Sequence, residues 1–90
     1  MEPMDHEKIT NRLVRIEGQI RGIKKMVEED RECEDILVQI SAASASLTNA
    51  ARLVMEHHIE HCVVDGIKHG DEDETIRRLK KSLDQFSKLK

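Results

Sequence analysis

Residues 33–62, CEDILVQISAASASLTNAARLVMEHHIEHC, decide how this 90-residue chain folds. They hold no glycine and no proline, and Arg52 is the only charge between positions 36 and 55. The stretch reads as one continuous helix. Along it Ile36, Leu37, Ile40, Ser44, Leu47, Ala51, Val54 and Met55 fall on the face that carries Cys33. At about 1.5 Å per residue, the 29 steps from Cys33 to Cys62 span roughly 44 Å. At about 100° per residue, His58 lies about 20° to one side of Cys33 and Cys62 about 20° to the other. Two thiols and an imidazole therefore share one stripe but sit at the two ends of a rod, where they cannot meet within one molecule. A second copy running antiparallel would bring Cys33 of one chain to His58 and Cys62 of the other, so the site is expected to form by dimerisation.

The flanks add two more helices. Upstream, Ile9, Leu13, Ile16, Ile20, Ile23 and Val27 recur at alternating steps of four and three, the spacing of a coiled-coil seam. Pro3 and Asp5 are expected to open this helix, and Glu28-Glu29-Asp30 to close it into a turn. Six of the eight residues from 28 to 35 are acidic, which suits the start of the next helix, where the macrodipole favours negative charge. Gly18 and Gly22 cost about 1 kcal/mol each relative to alanine in a helix interior, and are expected to permit close packing. The second helix is expected from about Arg31 to His69, fraying at Gly66 and Gly70. Around 38 residues is far above the globular mean of roughly 12, so one hairpin arm cannot cover it. The third is expected over about 72–88, with Ile76, Leu79, Leu83 and Phe86 on one side and Asp71 as its N-cap. No strand pattern, glycine-rich phosphate loop, repeat or long linker interrupts the series. The fold expected is all-α: a single domain over residues 1–90, a three-helix protomer with a long antiparallel helical hairpin.

Composition fits an oligomer. Of the residues 37% are charged and Phe86 is the only aromatic, so a monomer has a thin core and gains burial by association. The opening Met1-Glu2-Pro3-Met4-Asp5 is acidic and polar, unlike a targeting segment, and two cysteines without such a segment point to free thiols in a reducing cytoplasm. The uncharged run 36–51 is broken by Gln39, Ser41, Ser44, Ser46, Thr48 and Asn49, which excludes a membrane span.

A lone cysteine on an apolar helix face is usually a small buried hydrophobe. His58-x-x-x-Cys62 differs, because residues four apart aim at one point on a helix surface. With Cys33 the three are expected to bind a metal: soft and borderline donors suit Cu(I), or Zn²⁺ with a fourth ligand. His57 and His61 lie about 80–120° away and are expected to be solvated or to stand behind the ligands; His6 and His69 are expected to be exposed. Net charge is −3, unhelpful for nucleic acid at long range, yet Lys8, Arg12, Arg15 and Gln19 share one face of the first helix within about 60°. That stripe, with Arg52, is expected to contact DNA phosphates; a merely solubilising face is the blander reading. No oxyanion device accompanies Cys62 and His58, so an enzyme is not expected. A structural scaffold that binds no DNA explains the seams but not the ligand trio.

The run Ile9-Thr10-Asn11-Arg12-Leu13-Val14-Arg15-Ile16-Glu17-Gly18-Gln19-Ile20-Arg21-Gly22-Ile23, then Cys33-Glu34-Asp35-Ile36-Leu37-Val38-Gln39-Ile40-Ser41-Ala42 and His58-x-x-x-Cys62, resembles the CsoR/RcnR/FrmR family of bacterial transcriptional repressors over essentially the whole chain. The resemblance implies a homodimer that pairs into a homotetramer, a dimer of dimers, which binds double-stranded operator DNA and releases it when an inducer reaches the cysteine site. The trio Cys33, His58 and Cys62 resembles that of the copper(I) sensors, so Cu(I) is the inducer the resemblance implies. Nickel and cobalt sensors add an N-terminal histidine where this chain has Met1, formaldehyde sensors lack the second cysteine, and persulfide sensors lack the histidine. The copper sensors often carry Tyr just before the first cysteine and Glu on the last helix, where this chain has Glu32 and Arg78. A persulfide-sensing repressor acting through Cys33 and Cys62 of neighbouring subunits, with no metal, is the alternative.

Overall fold

Two backbone positions in the left-handed region, Asp30 at φ 54° and Gly70 at φ 78°, divide the chain into its helices. The computed structural model describes residues 6–89, with the side chain of Cys62 outside that description. In order come α1 (His6–Glu28), α2 (Cys33–His57), a π-helical turn (His58–Val63), α3 (Val64–Lys68) and α4 (Glu72–Ser87). Among the described residues no strand occurs, and no helix is long and apolar enough to cross a membrane. Pro3 and Asp5, expected to open α1, lie outside the described residues. The long second helix is helical throughout from Cys33 to Lys68, but not α-helical throughout: over 58–63 its bonding widens from i→i+4 to i→i+5. Contacts gather into two compact units, one containing His6–Ala50 and the other Ala51–Lys90.

In the first unit the acidic turn does what its composition requires. Asp30 N donates to Val27 O at 3.1 Å and Arg31 N to Met26 O at 3.0 Å, the nested bond pair that ends a helix on a left-handed residue. Glycine usually holds that place; an aspartate there costs about 1 kcal/mol. Ile36 N then donates to Glu32 O at 3.1 Å and α2 begins. The chain thus reverses in four residues, and α1 and α2 form the expected antiparallel hairpin.

Its inside is thin: Ile16 on α1 and Ala43 and Ala50 on α2 are the buried apolar residues among those described. Ala43 and Ala50 lie about 80–100° around α2 from Cys33, so the Cys33 stripe is not the one turned inward. On that stripe Leu37, Ile40, Leu47 and Val54 remain 43–64% exposed. Leu13, Ile20 and Val27 of the α1 seam are exposed too. A Cβ placed on Gly18 or Gly22 would meet nothing within 4 Å, so the close packing expected at these glycines does not occur within the protomer.

The second unit is closed by the same device. Gly70 N donates to Ile67 O at 3.2 Å and Asp71 N to Gly66 O at 2.9 Å, with glycine in the left-handed place. Asp71 takes the N-cap position of α4 and its carbonyl accepts from Thr75 N at 2.9 Å, but its side chain makes no capping bond. Gly66, expected at a fraying end, is instead where α3 and α4 come closest. A Cβ there would stand 2.9 Å from Thr75 Cβ and 3.0 Å from its Cγ2. Thr75 is buried, and Leu79, Ser82 and Phe86 continue its stripe half-buried. Of the expected stripe, Leu79 and Phe86 are half-buried while Ile76 and Leu83 are about half exposed, and the packed side centres on Thr75 against Gly66. Arg77 Nε donates to Glu74 at 3.0 Å, and this bond, with the guanidinium charges of Arg77 and Arg78, holds the Glu74 carboxyl below its usual range. The pair supports α4 above the ordinary glutamate range, and that support fades as pH falls through the lowered value.

Two substitutions test these joints. Asp30→Gly should raise the free energy of unfolding by about 0.5–1 kcal/mol, read by urea denaturation at one fixed protein concentration. Gly66→Ala should lower it by about 1–3 kcal/mol in the same measurement, since the methyl must displace Thr75.

Candidate metal centre and nucleic-acid interface

Cys33 is the first residue of α2, exposed and with a free thiol, beside Glu34 and Asp35 of the first turn. His58 is the residue after α2 ends, half-buried at the opening of the π turn. The shared azimuth of Cys33 and His58 was counted at about 100° per residue, the winding of an α-helix. The same reckoning does not extend to Cys62, because the π turn advances fewer degrees per residue than the α-helix assumed for it. Cys62 belongs to that turn, and its side chain lies outside the described residues. The protomer places Cys33 and His58 at opposite ends of α2, and no three His, Cys, Asp or Glu side chains converge among the described residues.

His58 has an unmet requirement: its Nε2 is buried and has no hydrogen-bond partner. A small cavity of about 10 Å³ beside it is lined by Val63, Thr75 and Arg78, room for no more than one water. Arg78 and Thr75 also border a cavity of about 370 Å³ that takes in His61, Asp65, His69 and Glu74. Arg78 thus borders the same small cavity as His58. An imidazole nitrogen without a hydrogen-bond partner and a thiol are donors of the kind that a soft metal ion takes. His57 and His61 are half-buried, and their rings lie against each other with centroids 4.2 Å apart and planes tilted by 33°. His6 and His69 are exposed, with His69 Nδ1 2.7 Å from Asp65 O.

On α1, Lys8, Arg12 and Arg15 are exposed and Gln19 is half-buried. Arg12, Arg15 and Gln19 line a groove of about 250 Å³ together with Ile16 of α1 and Ser46 and Asn49 of α2. Gln19 Oε1 is buried there without a hydrogen-bond partner. Arg52 is exposed on α2, within the second unit. Ser46 and Asn49 were not among the residues expected from sequence. They could have been found by counting outward from the turn at 29–32, which sets Arg15 opposite Ser46 and Arg12 opposite Asn49.

Comparison with known proteins places this arrangement. Residues 5–87 match the family of metal-sensitive transcriptional repressors. The chain belongs to that family. Metal-sensitive repressors similar to it include the copper-sensing transcriptional repressor CsoR of Bacillus subtilis, 54% identical over 94% of this chain and 81% of the relative. The copper-sensing repressor RicR of Mycobacterium tuberculosis is 46% identical over 66% of this chain and 62% of its own. Among solved structures, the copper-sensing repressor CsoR with Cu(I) from Geobacillus thermodenitrificans superposes with a TM-score of 0.85 at 44% identity, covering 97% of this chain and 94% of that one. The nickel-responsive regulator InrS also gives 0.85, at 37% identity over 96% of this chain and 98% of its own. The family is one of transcriptional repressors, not enzymes, and the all-α hairpin architecture is its fold.

Proposed function

We propose that this metal-sensitive repressor holds operator DNA as a homotetramer and lets it go when Cu(I) occupies a site built between subunits. The observation that carries the reading is the uncovered stripe of α2: Cys33, Leu37, Ile40, Ser44, Leu47, Ala51, Val54 and His58 follow one another at steps of four and three, and its large apolar members remain exposed. Such a seam wants a second helix, and an antiparallel copy covers it with itself. That pairing brings Cys33 of one protomer to His58 and Cys62 of its partner. Copper-sensing relatives in both comparisons support the choice of ion.

Cys33, His58 and Cys62 would hold the ion, whose contribution is that of a soft Lewis acid bound strongly by thiolates and imidazole. The two cysteines give up their protons on binding. His58 gains a use for its orphaned Nε2. Lys8, Arg12, Arg15, Gln19 and Arg52 form the DNA-contacting set, with charge repeated in four copies setting against the net −3 of each chain. By linkage, an inducer that favours the DNA-free arrangement weakens DNA binding by the same factor, and a hundredfold effect needs about 2.7 kcal/mol of preference.

A second reading has its own observation. Arg78, where the copper sensors often carry Glu, lines the small cavity beside His58, and a cationic residue there supports sulfur chemistry at Cys33 and Cys62 over metal. Polysulfide exposure followed by intact-mass measurement separates the two, since persulfidation adds about 32 Da per sulfur.

Cys33→Ala should leave operator affinity within about twofold while abolishing its loss on anaerobic addition of Cu(I), read by gel shift. Loss of operator binding with induction preserved would overturn the assigned roles. Arg15→Ala should weaken operator binding about tenfold and lower the slope of log affinity against log salt by about 0.9 for each phosphate it leaves unneutralised.

A further inference from the structure

Arg78 carries a charge that its own protomer leaves largely unanswered. With Val63 and Thr75 it borders the cavity of about 10 Å³ beside His58. The carboxylate of Glu74 is taken by Arg77, whose Nε donates to it at 3.0 Å. Arg78 adds its charge to the hold on Glu74, but among the described residues its guanidinium makes no hydrogen bond or ion pair.

Glu32 is in the same position at the other end of α2. It is exposed beside Cys33, and its carbonyl accepts from Ile36 N at 3.1 Å. Its carboxylate has no partner among the described residues. Glu34 and Asp35 flank the thiol too, but they belong to the first turn of α2, about 100° and 160° around the helix from Cys33. Glu32 precedes the helix, so its side chain is not tied to that phase.

We infer that Glu32 of one protomer pairs with Arg78 of the other across the α2 seam, two such pairs to a dimer. The inference rests on the antiparallel pairing proposed above, which brings Cys33 of one chain to His58 of the other. It adds one charged residue from each chain to that junction. A carboxylate and a guanidinium match as two acceptors and two donors, so the pair fixes register as well as attracting. A slip of the seam by one helical turn, about 5.4 Å, parts the charges. The pair also neutralises Arg78, so that a cation held by His58 no longer faces a bare guanidinium. Glu32 and Arg78 are positioning residues, outside the donor set.

The test is dissociation of the metal-free full chain, followed by sedimentation through a dilution series, for Glu32→Arg, Arg78→Glu and the two combined. Glu34→Arg controls for net charge, and circular dichroism checks helix content. Each reversal alone sets like charges face to face and is expected to raise the dissociation constant about tenfold. The combined reversal should return it to within about twofold of the parent, with Glu34→Arg unchanged. Glu32→Gln and Arg78→Gln form a second cycle without reversed charge: each should cost about threefold, and both together no more than either alone. A short bis-maleimide, with the linked peptides mapped by mass spectrometry, reports whether Cys33 of one chain reaches Cys62 of another. If that link forms in the parent while neither cycle shows coupling, the ion pair is overturned and the shared thiol site stands. If the link is absent from the parent, the antiparallel pairing is misassigned and the ion pair goes with it.

Discussion

What the rest of the molecule depends on is apolar surface that one chain cannot cover. Leu37, Ile40, Leu47 and Val54 stand in a row along α2, between the thiol at one end and the imidazole at the other. Burying the exposed half of each is worth about 1 kcal/mol per side chain. Within His6–Ala50, by contrast, the buried apolar residues are one isoleucine and two alanines. Small residues suit the inner face, because they let α1 and α2 approach closely with little bulk between them. The larger residues are turned toward a surface that only another polypeptide can dry. Under the proposed pairing, association and ligand assembly are one event, since Cys33 and His58 flank the same row of apolar side chains.

Much of this was legible in the chain. The period of Ile9, Leu13 and Ile16, the acidic cluster at 28–35 and the stretch free of glycine and proline fix the end of α1, its turn and the start of α2 to within a residue or two, because each acts locally. The separation of Cys33 from His58 follows from helix rise alone. What could not be read depends on contacts between helices or on hydrogen bonding that residue type does not specify. Nothing in His58-Ile59-Glu60-His61-Cys62-Val63 announces a π turn, and a rule of 100° per residue misplaces whatever follows it. On α4 the expectation held for Leu79 and Phe86 but not for Ile76 and Leu83, since Thr75 meets the bare backbone of Gly66, an effect of volume that leaves no mark in hydropathy. Ser46 and Asn49 were missed because polar residues on a helix gain meaning only when the facing helix is laid beside them.

The ends of α1 and α3 solve one problem with two residues. Both helices stop through the same nested pair of backbone bonds around a left-handed position, one occupied by glycine, the other by aspartate. The aspartate sits among other carboxylates just ahead of α2, where the dipole of the oncoming helix favours negative charge. Electrostatic fit at the start of α2 partly offsets the steric cost at the end of α1.

The π turn has a geometric corollary. A loop of i→i+5 bonding holds one more residue than its α counterpart, so the backbone beyond it is wound back by about 100°, the angle of a single residue. Gly66, which meets Thr75 of α4, lies beyond that turn and carries its offset. The six residues 58–63 thus set the phase in which everything C-terminal to them in the helix is presented, from the turn that bears His58 and Cys62.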